Sequence, residues 1–199
     1  MILYHGTPAS RAEKIIEEKC ISPNADRIYD DGYGDELLKC VTFHNTNVPT
    51  TLATTKGYTY LTNSLFYAMY YGNKNAMHFT GDYDERDKEF YVFMVDIPHE
   101  LLEPDFDEII MTTSVDPATI KTFTDSLNAC KSVRTKAPVK DFKYIKLPTT
   151  VNFYDDNSSL VQRIVKFEVA RYNPENEYVI KELKELTEAL MSKYNWIEC

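Results

Sequence analysis

Lys56-Gly57-Tyr58-Thr59-Tyr60-Leu61-Thr62-Asn63-Ser64-Leu65-Phe66-Tyr67-Ala68-Met69-Tyr70-Tyr71-Gly72 is the stretch on which the fold reading turns. Tyr58 to Leu61 is aromatic and β-branched, the composition of a strand. Thr62 is a candidate cap for a helix from about Asn63 to Tyr71, with Gly72-Asn73 expected to end it. A strand running straight into a helix puts Tyr60 at the end of one and Tyr71, eleven positions later, at the far end of the other. That geometry can fold the two rings toward each other across one slot.

Upstream, Ile2 to Tyr4 reads as a short strand, and Pro8-Ala9-Ser10 as the opening of a helix. Ser10 and Glu13 have the spacing of a capping box, and Ala12, Ile15, Ile16 and Cys20 share one helical face. Residues 22–56 read as loop with one short strand near Cys40–Phe43. Downstream, residues 79–88 form a polar, hairpin-like connection to Glu89–Ile97, an aromatic strand stopped by Pro98, and Leu101 to Asp105 is a turn. Residues 112–150 read as irregular, with a short helix near Pro117–Cys130. Leu160–Tyr172 and Glu177–Ile180 read as strands, and Leu183, Leu186, Leu190, Met191 and Tyr194 fall at helical spacing. No internal repeat or linker interrupts the pattern. The expected fold class is a single mixed α+β domain over residues 1–199, with an irregular, locally basic insertion at about 112–150.

The 199 residues suffice for one domain with a real core. Apolar residues make up 43% and charged residues 27%, ordinary for a globular protein. Tyrosine is abundant, with 15 Tyr against 10 Phe and 1 Trp, and most of these are expected to line strands. Net charge is −9, which disfavours binding to phosphate backbones over the whole surface. The charge is uneven: 11 acids face 2 bases from Gly81 to Glu108, whereas Lys131, Arg134, Lys136, Lys140, Lys143 and Lys146 are opposed only by Asp141. Cys20, Cys40, Cys130 and Cys199 form no CxxC pair or Cys/His cluster, so no metal site is expected. Met1 to His5 lacks the look of a signal peptide and no run suits a membrane span, so the chain reads as cytoplasmic, with no membrane partner.

Three short pieces carry chemistry. In Tyr4-His5-Gly6-Thr7, an imidazole at a strand end can bond a ribose hydroxyl, and a glycine lets a flat amide come close to the backbone. The rings of Tyr60 and Tyr71 suit a planar cation through stacking and cation–π attraction. Glu177, in Asn176-Glu177-Tyr178, can hold a ribose hydroxyl and stabilise positive charge developing at an anomeric carbon. Each piece alone has an ordinary structural explanation; together they form the equipment for gripping a nicotinamide nucleotide and breaking its glycosidic bond.

The order and spacing of these pieces resemble the His-Tyr-Glu ADP-ribosyltransferases of the diphtheria-toxin and poly(ADP-ribose) polymerase type. LYHGTPASRAEKIIEEKCI looks like that class's first strand and helix, KGYTYLTNSLFYAMYYG like its second motif, and Asn176-Glu177-Tyr178 like the surroundings of its catalytic glutamate. The resemblance implies two packed antiparallel sheets with flanking helices around a nicotinamide cleft. By it, NAD is the co-substrate, His5 meets the ribose, and Gly6 and Thr7 form the carboxamide pocket. Tyr60 and Tyr71 hold the ring, Ala68 stands where the polymerases place a serine, and Glu177 is catalytic with His5 and Tyr60. Gly57 sits one residue further from Tyr60 than that pattern has it. Glu175 forms a Glu-x-Glu pair with Glu177, a mark of arginine acceptors in another branch.

The activity so implied is transfer of one ADP-ribose unit from NAD to a macromolecular acceptor, with no metal, by a small bacterial toxin or anti-phage effector. RNA is favoured as acceptor because Arg134, Lys136, Lys140 and Lys143 interleave with Phe142 and Tyr144. A protein acceptor, with Glu175 on the acceptor side, is the rival. From other classes come a binding module that has lost the reaction, and RNA 2′-phosphotransfer, which needs more cleft bases than this pattern offers. A toxin of this kind needs an antitoxin or chaperone partner, for which the acidic stretch 81–108 and the C-terminal helix are the expected surfaces.

Overall fold

The computed structural model describes residues 1–24, 57–78, 88–149 and 177–199. Their order is β1 (Ile2–Pro8), α1 (Ala9–Glu18), β2 (Thr59–Thr62), α2 (Leu65–His78), β3 (Glu89–Asp96), β4 (Glu103–Pro104), α3 (Phe106–Thr112), α4 (Phe123–Cys130), β5 (Ser132–Thr135), β6 (Phe142–Pro148), α5 (Glu177–Met191) and β7 (Ile197–Glu198). Short 3-10 turns occupy His99–Leu101 and Pro117–Thr119. The class is α+β, as expected. The strands hydrogen-bond in the order β4-β5-β2-β1-β3-β6-β7, and β2 with β5, β4 with β5, β3 with β6 and β6 with β7 are all antiparallel. The described strands thus form one sheet, where the resemblance implied two.

The chain divides into two compact units: Met1–Leu3, Cys20–Asn63 and Asp96–Lys140 in the first; Tyr4–Lys19, Ser64–Val95 and Asp141–Cys199 in the second. In the first unit, Ile109, Ile120 and Cys130 make a small core with Phe106 and Ala129. In the second, Phe66, Met69, Phe90, Val92 and Ile145 pack with Leu147, Leu186 and Leu190. The helical stripe read at 183–194 is a face of α5 in that core: Leu183, Met191 and Tyr194 pack on it beside Leu186 and Leu190.

Several local expectations are corrected. β1 does not stop at Tyr4 but runs to Pro8; Gly6 lacks the positive φ that Gly57 shows at +78°, so the chain does not turn there. α1 then starts at Ala9 with Pro8 as its cap residue and no side-chain cap. Ser10 lies inside the first turn, where a capping box cannot form. α2 passes through Gly72-Asn73, both buried. Its start is served by Ser64, whose hydroxyl accepts the Tyr67 N–H at 3.4 Å. The Thr62 hydroxyl instead donates to the Lys131 carbonyl at 2.6 Å. Glu177–Ile180 is the first turn of α5, not a strand; a continuous apolar stripe outweighs four residues of strand-like composition.

The segment 112–150, read as irregular, is built of elements. Thr122 and Asp125 form a true capping box on α4, and β5 and β6 are strands whose interleaved lysines and arginine mask the apolar alternation. The strands read near 40–43 and over 160–172, and the connection 79–87, lie outside the described residues.

Candidate functional site

β1 distributes its motif over both of its faces. Side chains alternate along a strand, so Tyr4 and Gly6 point one way and His5 and Thr7 the other. Tyr4 stacks on Trp196 with ring centroids 6.2 Å apart. Gly6 lies against the backbone of α2: a Cβ built on it would stand 1.7 Å from the Ala68 carbonyl oxygen and 2.8 Å from the Gly72 nitrogen. Gly72 in turn leaves no room for a Cβ, with Phe90 Cδ2 at 2.5 Å. Two glycines therefore let strand and helix meet almost backbone to backbone. This seam brings Gly6, Ala68 and the turn of α2 that carries Tyr71 together.

On the opposite face, the His5 ring lies 6.4 Å from Phe93, within a patch of stacked and edge-on rings formed by Tyr91, Phe93, Phe142 and Tyr144. Thr7 is buried. Tyr71 is partly exposed and meets Tyr70 edge-on at 5.2 Å. Glu177 opens α5, and Glu175 lies outside the described residues.

Tyr60 belongs to the first unit, in a buried polar hub. Its hydroxyl donates a short hydrogen bond to Asp107 Oδ2. The same oxygen lies 3.7 Å from Arg134 Nη1. Arg134 is the cross-strand partner of both Tyr60 and Glu103, so the three side chains share one face of the strands. Its guanidinium sits 4.1 Å from the centre of the Tyr58 ring. Burial, then the charges of Asp107 and Asp105, push the Tyr60 phenol far above its ordinary range, so it stays a donor at any physiological pH.

Beside the hub, Asp105 caps α3 by accepting the Glu108 N–H at 3.0 Å and takes a 2.5 Å hydrogen bond from the Ser132 hydroxyl. It is 1% exposed, and burial raises it to about 7 against the pull of Ser132 and Arg134. Burial likewise lifts the Cys130 thiol to about 12. Asp105 and Asp107 went unread in the sequence. Their signal was a cap aspartate followed by Asp107 and Glu108 in a first turn, a helix-start signature submerged in a run read only as net charge.

The basic segment does not present free charge as expected. Arg134 is 2% exposed and paired with Asp107 within the fold. Lys136 pairs with Glu103 at 3.3 Å, Lys143 with Glu198 at 2.6 Å and Lys146 with Glu89 at 2.5 Å. Acids of three other strands and one helix thus match four of its six bases; Lys140 is exposed. Among the described residues no group of His, Cys, Asp and Glu is placed to hold a metal ion, and no helix is long and apolar enough to cross a membrane. No family model, no curated protein and no solved structure matches the chain.

Proposed function

We propose that the chain is a mono-ADP-ribosyltransferase, moving one ADP-ribose unit from NAD to a macromolecular acceptor and releasing nicotinamide. The observation that carries this reading is the glycine seam. The His5-Gly6-Thr7 strand and the helix of Ala68 and Tyr71, more than fifty residues apart, interlock through Gly6, as two parts of one nucleotide grip need to. The pattern of burial fits the group: His5, Gly6, Tyr60 and Tyr71 each keep accessible surface, while Thr7 and Ala68 are buried supports.

In this reading His5 holds the nicotinamide ribose and the Tyr60 and Tyr71 rings hold the nicotinamide. The bond from C1′ to the ring nitrogen breaks, and its electron pair leaves with nicotinamide, quenching the ring's charge. The Glu177 carboxylate stabilises the positive charge left on the ribose. A lone pair of the acceptor then closes on C1′, and the acceptor's proton passes to water. RNA remains one acceptor; a protein side chain is the second reading, favoured by the internal pairing of the basic segment.

The test incubates NAD labelled in its adenylate portion with a cell lysate, using wild type and Glu177→Ala. Label enters a macromolecule only with wild type. Equal nicotinamide release by both proteins removes Glu177 from the chemistry, and no NAD cleavage by wild type ends the reading. Nuclease or protease sensitivity of the labelled product identifies the acceptor class.

A further inference from the structure

Tyr60 is anchored at the far end of its ring. Asp107 receives its hydroxyl, and Asp107 lies beside Arg134, which has little freedom to move. Arg134 is fixed by the β2–β5 register opposite Tyr60, is 2% exposed, and lies over the ring of Tyr58 at 4.1 Å and that of Phe106 at 5.7 Å. A buried guanidinium packed on two aromatic rings cannot follow a wandering carboxylate. The carboxylate therefore stays with the arginine, and the phenol with the carboxylate. A stacking ring needs a defined position and plane more than it needs its hydroxyl: an acceptor held at the hydroxyl fixes the ring's far end, and because the phenol O–H keeps to the ring plane, the direction of that acceptor also sets the ring's tilt.

We propose that Asp107, braced by Arg134, is a positioning residue that sets the plane of the Tyr60 ring for stacking on the nicotinamide of NAD. This rests on the transferase reading above. It gives a role to a residue that touches no substrate, and it makes the hydroxyl of Tyr60 an anchor instead of a chemical group.

The test is steady-state NAD cleavage, read as nicotinamide release, together with melting curves for each variant. Tyr60→Phe keeps the ring and loses the anchor; its KM for NAD rises about fivefold with kcat within about twofold of wild type. Asp107→Ala does the same, and Asp107→Asn, which keeps an acceptor for the phenol, recovers most of the loss. The double variant Tyr60→Phe/Asp107→Ala is no worse than the worse single one, because both remove the same link. Should Asp107→Ala fail to fold, Tyr60→Phe and Asp107→Asn decide the matter. An unchanged KM in Tyr60→Phe, or losses that multiply in the double variant, overturns the positioning role. If wild type cleaves NAD, Glu177→Ala does not, and Tyr60→Phe matches wild type, only the positioning role falls. A wild type that neither binds nor cleaves NAD takes the transferase reading down with it.

Discussion

The seam around Gly6 and the hub around Tyr60 solve the same problem by different physics. Each fixes residues singled out for NAD: Gly6 in the second compact unit, Tyr60 in the first. The seam works by exclusion: Gly6 admits the Ala68 carbonyl, Gly72 admits Phe90, and neither has space for one more carbon. No charge takes part. The hub works by attraction among Tyr60, Asp107 and Arg134, with Asp105 beside them. A packed seam is intolerant of volume and indifferent to pH, whereas a buried polar hub is tunable by charge and by protons.

The contrast is sharpest for Gly6→Ala, whose new Cβ would overlap a backbone oxygen that no rotamer can move. A loss of about 4 kcal/mol or more is expected in denaturant unfolding, the same at pH 5 and pH 8. A pH-dependent loss would break the comparison. Next comes Arg134→Met, which strips Asp107 of its cation inside the fold and costs about 3 kcal/mol; adding Asp107→Asn returns part of it. A third test uses Asp105, whose folded-state value of about 7 lies above the 3.8 of an ordinary aspartate. The folded state holds the proton more tightly than the unfolded chain does. The stability contributed by protonated Asp105 is full below pH about 4 and is lost as pH rises through about 7, at a slope of up to about 1.4 kcal/mol per pH unit. Asp105→Asn flattens that slope in urea melts taken across the window. The smallest effect belongs to Lys143→Ser, which breaks an exposed pair with Glu198 and shifts stability by less than about 0.5 kcal/mol.

Sequence made the seam partly legible and the hub hardly at all. The strand at 2–4, the strand before Leu61, the helix through Ala68, the strand at 89–97 and the C-terminal helix all follow from local periodicity. Gly6 reads in the sequence as a place of close approach, and the backbone of α2 does approach it closely. Gly72 reads as a stop in the sequence, yet α2 runs through it, because a glycine that ends a helix and one that admits a neighbour look alike in sequence. The hub is assembled from residues 60, 105, 107, 132 and 134, whose proximity depends on the β2–β5 register and on where α3 lies over it. Nothing local encodes either. The pairing of the basic segment is hidden for a related reason: Glu89, Glu103 and Glu198, which match its lysines, come from three other strands. A charge tally along the chain cannot see pairing across a sheet.

Cys130 offers a clock for the first unit. Its thiol is buried at the end of α4, hydrogen-bonded to the Ser126 and Ser132 carbonyls at 3.3 and 3.6 Å, and unreactive while the unit is closed. In a chain with Cys20, Cys40 and Cys199 changed to serine, alkylation at Cys130 must wait for that region to open. The labelling rate then counts openings around Ser132 and Asp105 in real time, leaving the second unit silent. Repeating the measurement with NAD present would tell whether the nucleotide slows the opening.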